Sequence, residues 1–302
     1  MYKLLIAILI ILVAFFQNPI ISLGLGLLLG IILKDNFKEF ISNIGSIPLQ
    51  VGIVLLGFSI SFNKFSDLFM NYFPIISIFV VMTFLLGLFL GKLLNLDKEF
   101  VYLISSATAI CGASAALAIS TIINAKPNQI SLAVFIIFLM NTIAIVLFPI
   151  VGKFLEFTDI QFGLFSALAI HDTASVVGSG LLFSDNAGEI SATLKISRTL
   201  WILPLIIMFT FITKAKKSVY FNNLPIFIIF FFFAITISNI IFLPFQFYDI
   251  TKYLSISFIN IGIFFIALQS KIEKELNTGI LIYPIFLWLI VVLISFITVA
   301  SL

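Results

Sequence analysis

Four ionisable side chains stand where so apolar a chain should carry none. His171 and Asp172 lie side by side in the hydrophobic run 162–183, and Lys195 and Arg198 lie in the run 190–213. Thr173 and Ser175 add hydroxyls beside the first pair. A charge at the centre of a bilayer costs about 3 kcal/mol on insertion scales, so such residues mark either function or a fixed partner. Lys195 and Arg198 are three apart and share a helix face, which Ser191 and Thr199 extend. One aspartate cannot neutralise two cations, and an arginine stays protonated. The surplus positive charge suits an anion, above all an oxyanion that a guanidinium can hold through two parallel N–H groups. Histidine titrates near neutral pH, so His171 with Asp172 reads as the carrier of a coupling proton. The structural readings of the same residues are snorkelling of Lys195 to the nearer interface and neutralisation of a cation by Asp172.

A second constellation is the small-residue run around Cys111, Gly112, Ala113 and Ser114, near the middle of the hydrophobic segment 99–123. Backbone at membrane depth can leave helical geometry only where protein or water satisfies it. Transporters use such breaks to aim half-helix termini at a substrate near the midplane. The small residues would let the backbone approach an anion, with N–H groups at a half-helix N-terminus as donors. Close helix packing is the structural reading of the same residues. A broken helix and a re-entrant hairpin are both open for 105–120 and 166–180. A shift of 60 residues places Ser106 on Ser166, Ala107 on Ala167, Ala109 on Ala169 and Ile110 on Ile170. That is the pattern of a duplicated unit, an interrupted segment followed by a plain helix.

These residues must be carried by membrane helices. Of 302 residues, 62% are hydrophobic and only 10% charged, with 37 phenylalanines. A soluble domain carries about 25% charged residues. That balance excludes a soluble enzyme, a nucleic-acid binder and a disordered chain. No strand-like alternation is present, which excludes a β-barrel. The expected fold is an all-α polytopic membrane protein, one transmembrane transporter domain over 1–302. It would have ten or eleven spanning helices, two interrupted or re-entrant segments, and inverted repeats. Hydropathy divides the chain into 3–16, 20–33, 44–62, 72–94, 99–123, 130–153, 162–183, 190–213, 224–243, 253–270 and 280–300. The first two could be one helix kinked at Pro19. No small-residue cleavage site follows the apolar stretch 4–16, so it reads as a retained first helix. The lone Cys111 excludes an internal disulfide and a multi-cysteine metal site; no metal and no cofactor are expected.

If eleven spans alternate, one side receives Lys3, Lys34, Lys38, Lys92, Lys98, Lys153, Lys214, Lys216, Lys217, Lys271 and Lys274. The other receives Lys64, Lys126 and Lys252. Eleven against three makes the first side cytoplasmic by the positive-inside rule, with the N-terminus inside and the C-terminus outside. Phe230–Phe233 reads as lipid-facing. Asn141 and Asn260 read as interhelical hydrogen-bonding groups. Glu273 and Glu275 read as cytoplasmic surface.

The motifs as a set resemble the YeiH family of bacterial inner-membrane proteins, described as sulfate exporters. The resemblance runs over essentially the whole chain. It rests on Gly52–Phe58, on Leu96-Asp97-Lys98 leading into Ala109–Ala115, on Ile170–Gly178, and on Leu194-Lys195-Ile196-Ser197-Arg198. It implies a transporter with an interrupted-helix core, distantly similar in plan to bile-acid and sodium–proton antiporter folds. The reading is a non-enzymatic secondary transporter for a small inorganic anion, sulfate or a related oxyanion. Cys111, Gly112, Ala113, Ser114, Thr173, Ser175, Lys195 and Arg198 would bind substrate, and His171 with Asp172 would couple protons. Its expected partners are the anion, lipid, a coupling proton or sodium ion, and a second copy of the chain as a homodimer; nucleic acid is not among them. No phosphate-binding G-x-x-x-x-G-K-S/T run is present, which argues against an ATP-driven pump. The competing readings are a cation/proton antiporter using Asp172, a membrane sensor without transport, and an intramembrane hydrolase pairing Ser175 or Ser114 with His171. Asp172 is next in sequence to His171 and is poorly placed to orient it as a catalytic base, which counts against the hydrolase.

Overall fold

The computed structural model describes residues 2–32, 47–213, 226–241, 244–269 and 278–301, and these are helical with no strand among them. Lys34, Lys38, Lys214, Lys216, Lys217, Lys271, Lys274, Glu273 and Glu275 lie outside the described residues. The helices are α1 (Tyr2–Phe16), α2 (Pro19–Ile32), α3 (Ile47–Gly57), α4 (Phe62–Leu93), α5 (Lys98–Ala109), α6 (Ala113–Ser120) and α7 (Pro127–Phe154). They continue as α8 (Asp159–Ala169), α9 (Thr173–Phe183), α10 (Asp185–Thr199), α11 (Ile202–Thr213), α12 (Phe227–Ile240), α13 (Phe245–Gln269) and α14 (Thr278–Ala300). Among the described residues, five stretches are long and apolar enough to cross a membrane: Phe62–Leu93, Pro127–Phe154, Asp185–Thr213, Gln246–Leu268 and Leu281–Ala300. The chain is therefore an all-α membrane protein.

Residues 2–32 form two helices rather than one kinked helix. Gln17 takes a positive φ of 48°, and the Asn18 side chain accepts the Ile20 and Ile21 amides at 2.9 and 3.2 Å. That cap starts α2 where Pro19 can sit without a missing donor. Ile6 and Val13 of α1 share one apolar cluster with Leu29 of α2 and with Phe264 and Leu268 of α13.

Two interrupted segments decide the path of the chain. Asp97, just before α5, accepts a hydrogen bond from Gln129, in the first turn of α7, at 3.2 Å. The segment α5–α6 thus enters and leaves at the same end of the molecule, the Lys98 end. Asp159, at the start of α8, accepts from Ser184 at 2.6 Å and from Asn186 at 2.9 Å, both just beyond α9. The Phe162 and Phe183 rings stack with centroids 4.2 Å apart. The segment α8–α9 therefore enters and leaves at the opposite end, the Lys153 end. Between them α7 spans 28 residues, about 42 Å at 1.5 Å per residue. Of the two geometries left open by sequence, both segments take the re-entrant one, with inverted topology.

This changes the alternation assumed from hydropathy. Segments 99–123 and 162–183 turn back instead of crossing, so Lys126 and Lys153 exchange ends. One lysine thus moves each way. Hydropathy measures how apolar a segment is and carries no information on whether it reverses midway.

Helices α1, α2, α3, α12 and α13 pack chiefly on one another and form a scaffold; α4 to α11 and α14 form a core around the hairpins. The groups meet where α9 lies against α2 and α13. A Cβ on Gly178 would reach Ile145 of α7, Ile263 of α13 and Pro19 of α2 at 2.8, 2.9 and 3.4 Å. They meet again where Phe65 of α4 packs edge-on against Phe232 of α12. In the run 230–233, Phe230 and Phe233 are exposed as a lipid-facing surface requires, whereas Phe231 is fully buried against α3. Helical periodicity splits the run between two environments.

Candidate functional site

The site begins with the problem that a broken helix creates. The last carbonyls of a helix have no partner within it, and at membrane depth each one left bare is costly. Here two helices, α5 and α8, end facing each other inside the protein. Arg198 and Lys195, both with no exposed surface, meet these ends. The Arg198 guanidinium donates to the carbonyls of Thr108 and Ala109 of α5, and to those of Ala167 and Leu168 of α8. A longer bond of 3.3 Å reaches Ile170. The Lys195 ammonium donates to Ile110 at 3.0 Å and Ile170 at 2.8 Å. The Trp288 indole of α14 donates to Ala169 at 3.0 Å. Every carbonyl from 107 to 110 and from 167 to 170 thereby has a donor, Ala107 receiving the Gly112 amide. The two cations also sit at the negative ends of two helix dipoles.

The half-helix ends obey the 60-residue offset read from the sequence. α5 ends at Ala109 and α8 at Ala169; α6 resumes at Ala113 and α9 at Thr173. The tips touch. Gly112 has φ +65°, and a Cβ there would lie 3.2 Å from the Asp172 amide nitrogen and 3.3 Å from the His171 carbonyl carbon. The structure thus brings together the runs 111–114 and 171–175.

The tips differ chemically. Asp172 is the N-cap of α9, and its carboxylate accepts the Ser175 amide and the Ser175 hydroxyl, each at 2.8 Å. At the equivalent place in α6 stands Gly112, which offers no side-chain cap. Ser114 is exposed, Ala113 and Asp172 are half-buried, and Cys111, Thr173 and Ser175 are buried. His171 is buried, and its backbone N–H and Nδ1 lie 3.0 and 3.2 Å from the side-chain oxygen of Asn141. Because that oxygen only accepts, Nδ1 is the ring nitrogen that donates to it, and Nε2 is buried without a hydrogen-bond partner among the described residues.

Two expectations are revised by this geometry. Lys195 does not snorkel; its head group is held at the hairpin tips. Asp172 forms no ion pair within 4.0 Å with Lys195 or Arg198 among the described residues, though its charge acts on Lys195 from farther away. Backbone carbonyls of the two helix ends accept from both head groups instead. Asn260 accepts from Ser22 across α13 and α2 at 2.9 Å, an interhelical bond as expected. Asn141 makes an interhelical bond too, but to His171, which gives it a place in the site that its sequence context did not single out. Trp288 was not singled out at all, because a tryptophan in an apolar segment looks like any other large apolar residue.

The fold and site define a polytopic α-helical membrane protein built on two opposed re-entrant hairpins. The chain belongs to the family of Conserved hypothetical protein 698, the UPF0324 or YeiH membrane proteins, whose family model matches residues 1–283. It is 35% identical over 283 residues to a UPF0324 membrane protein of Porphyromonas gingivalis, covering 91% of this chain and 84% of that one. It is 34% identical over 279 residues to one of Bacteroides thetaiotaomicron, with the same coverage of 91% and 84%. A Clostridium tetani relative is 40% identical over 167 residues, which is 55% of this chain and 48% of that one. No solved structure matches the chain.

Proposed function

We propose that this protein is a secondary transporter for a small inorganic anion, with sulfate or a related oxyanion as substrate and protons as the coupling ion. The observation that carries the reading is the contact between the uncapped N-terminus of α6 and the half-buried Asp172, where two opposed hairpins meet. A carboxylate at this depth with no ion pair within 4.0 Å among the described residues would need water around it, and a site wetted between two opposed hairpins is what alternating access requires. The amides at the start of α6 would receive the anion, beside the hydroxyl of Ser114. Lys195 and Arg198 would act at one remove, holding the hairpin ends and adding positive potential. Asp172 would take the coupling proton, because its negative charge at the same spot opposes an anion until it is neutralised. The basic end, with Lys92, Lys98 and Lys126, would face the cytoplasm of a bacterial inner membrane.

The test is counterflow in proteoliposomes: labelled sulfate outside, and unlabelled sulfate, sulfite, thiosulfate, nitrate or a carboxylate inside. Accumulation driven by at least one oxyanion supports the reading. Binding without counterflow would make the protein a sensor. A second reading, a cation/proton antiporter, is favoured by one observation, that Asp172 makes no ion pair within 4.0 Å among the described residues. Sodium or proton flux with no anion dependence, abolished by Asp172→Asn, would establish it instead. Arg198→Gln does not discriminate between the two, because Arg198 holds the hairpin ends in either case.

A further inference from the structure

The two tips that meet at Gly112 and Asp172 present opposite hydrogen-bonding groups. The tip of hairpin one, where α5 ends and α6 begins, presents donors. The first amides of a helix have no acceptor within it, so Ala113 and Ser114 offer theirs, and Ser114 adds an exposed hydroxyl. The tip of hairpin two, between α8 and α9, presents acceptors. A carboxylate has about four acceptor positions, and among the described residues that of Asp172 takes hydrogen bonds from Ser175 alone, one on each oxygen. Next to it, His171 is only 1% exposed, and its Nδ1 donates to the Asn141 oxygen. In the neutral ring that leaves Nε2 as an acceptor, buried and without a partner among the described residues. A buried acceptor left unmatched costs free energy, so this tip is matched by a group that brings a hydrogen.

A fully deprotonated oxyanion does not suit both tips. Its oxygens only accept. They match the amides and the Ser114 hydroxyl, but they meet the Asp172 carboxylate acceptor to acceptor and with like charge. An oxyanion that keeps a hydrogen on one oxygen matches both: its bare oxygens take the donors of hairpin one, and its O–H donates to hairpin two. The charges farther off do not make this choice. Lys195 and Arg198 act through space on Cys111 at the opposite tip, and Asp172 acts on Cys111 and Lys195. Such potential favours any anion and is indifferent to where its hydrogen lies.

We propose that the site between the two tips takes an oxyanion carrying a hydrogen on oxygen, the class of hydrogensulfite, hydrogencarbonate and hydrogenphosphate, and that Asp172 selects it by accepting that hydrogen. The proposal rests on the transporter reading for the place of the anion, and narrows its substrate. Asp172 still holds the coupling proton, now shared with the anion oxygen that brings it. A site built to hydrogen-bond a substrate hydroxyl rejects the analogue without one far more strongly than a merely apolar pocket rejects a misfit.

The experiment uses pairs of anions alike in shape and charge that differ in this hydrogen. Hydrogenphosphate is set against sulfate, both tetrahedral dianions. Hydrogencarbonate is set against nitrate, both planar monoanions, and hydrogensulfite against chlorate, both pyramidal monoanions. For each, the concentration giving half-maximal thermal stabilisation of the purified protein is measured at a pH where the hydrogen-bearing member predominates. In at least one pair that member should bind at least tenfold more tightly than its partner. Asp172→Asn puts an amide able to donate where the carboxylate only accepts, and should level the ratio or invert it. Ser114→Ala removes a donor that both members use; it should weaken both by a similar factor and keep the ratio. Equal binding within every pair, or preference for the deprotonated member throughout, would overturn the proposal and leave the anion reading standing. So would a ratio unchanged in a folded Asp172→Asn. Stabilisation by none of the six anions, with no counterflow of any, would overturn the anion reading and the proposal with it. The pairs measured on the unaltered protein decide the question even where a variant does not fold.

Discussion

Gly112 and Asp172 stand against each other at the meeting of the two hairpins, with 3.2 Å between the place of a Gly112 Cβ and the Asp172 amide nitrogen. The contact joins backbone to backbone, so no side-chain rotation can relieve an intrusion. Gly112 also holds φ +65° and ψ −132°, a region open to glycine and strained for other residues. Gly112→Ala should therefore cost about 1–3 kcal/mol in backbone strain and separate the tips by a few tenths of an ångström. Gly24→Ala, in a helix with nothing within 4 Å of its Cβ, should be neutral or stabilising. Thermal unfolding of the two variants in detergent checks the contrast.

Arg198 supports carbonyls of two helices at once, so its loss should exceed an ordinary core deletion. Each buried carbonyl left without a donor costs about 1–3 kcal/mol, and Arg198→Met orphans several. The expected outcome is loss of monodisperse protein on size-exclusion chromatography. Lys195→Met removes the ammonium donor from Ile110 and Ile170 and should be milder. Arg198→Lys should fare little better than Arg198→Met, since a point charge cannot span the carbonyls that the planar fork reaches.

Asn141 fixes His171 through one oxygen that serves both the backbone amide and the ring. Asn141→Leu leaves two buried donors unpaired and should lower stability by about 2–5 kcal/mol. If His171 is held for structure, His171→Gln should keep most of the thermal stability and leave the pH profile of transport unchanged. A shifted profile would return His171 to the coupling path.

Asp172→Asn preserves an N-cap, because asparagine caps a helix as well as aspartate does. The variant should fold with a midpoint close to that of the unaltered protein. Under the anion reading its substrate binding should lose pH dependence while exchange persists. Thermal shift with sulfate across pH reads both effects.

Much of this could be seen in the chain itself. Ten per cent charge and long apolar runs demand a membrane. The clusters 105–114 and 170–180 mark where the helices break, and the 60-residue offset places the two breaks in step. Lys195 and Arg198 stand out because no loop explains them. The direction in which each interrupted segment leaves the break was decided only by tertiary structure, as was the partner of each cation. Lys195 and Arg198 share a face through local geometry, which three-residue spacing dictates. Their acceptors are carbonyls 25 to 90 residues away, and a carbonyl is present at every residue, so no residue type advertises it. Neutralisation by Asp172 was the structural alternative that the sequence offered for them. The folded chain instead brings the carbonyls of two helix ends within hydrogen-bond distance of both cations, because those carbonyls have no partner within their own helices, while the Asp172 carboxylate caps its own helix.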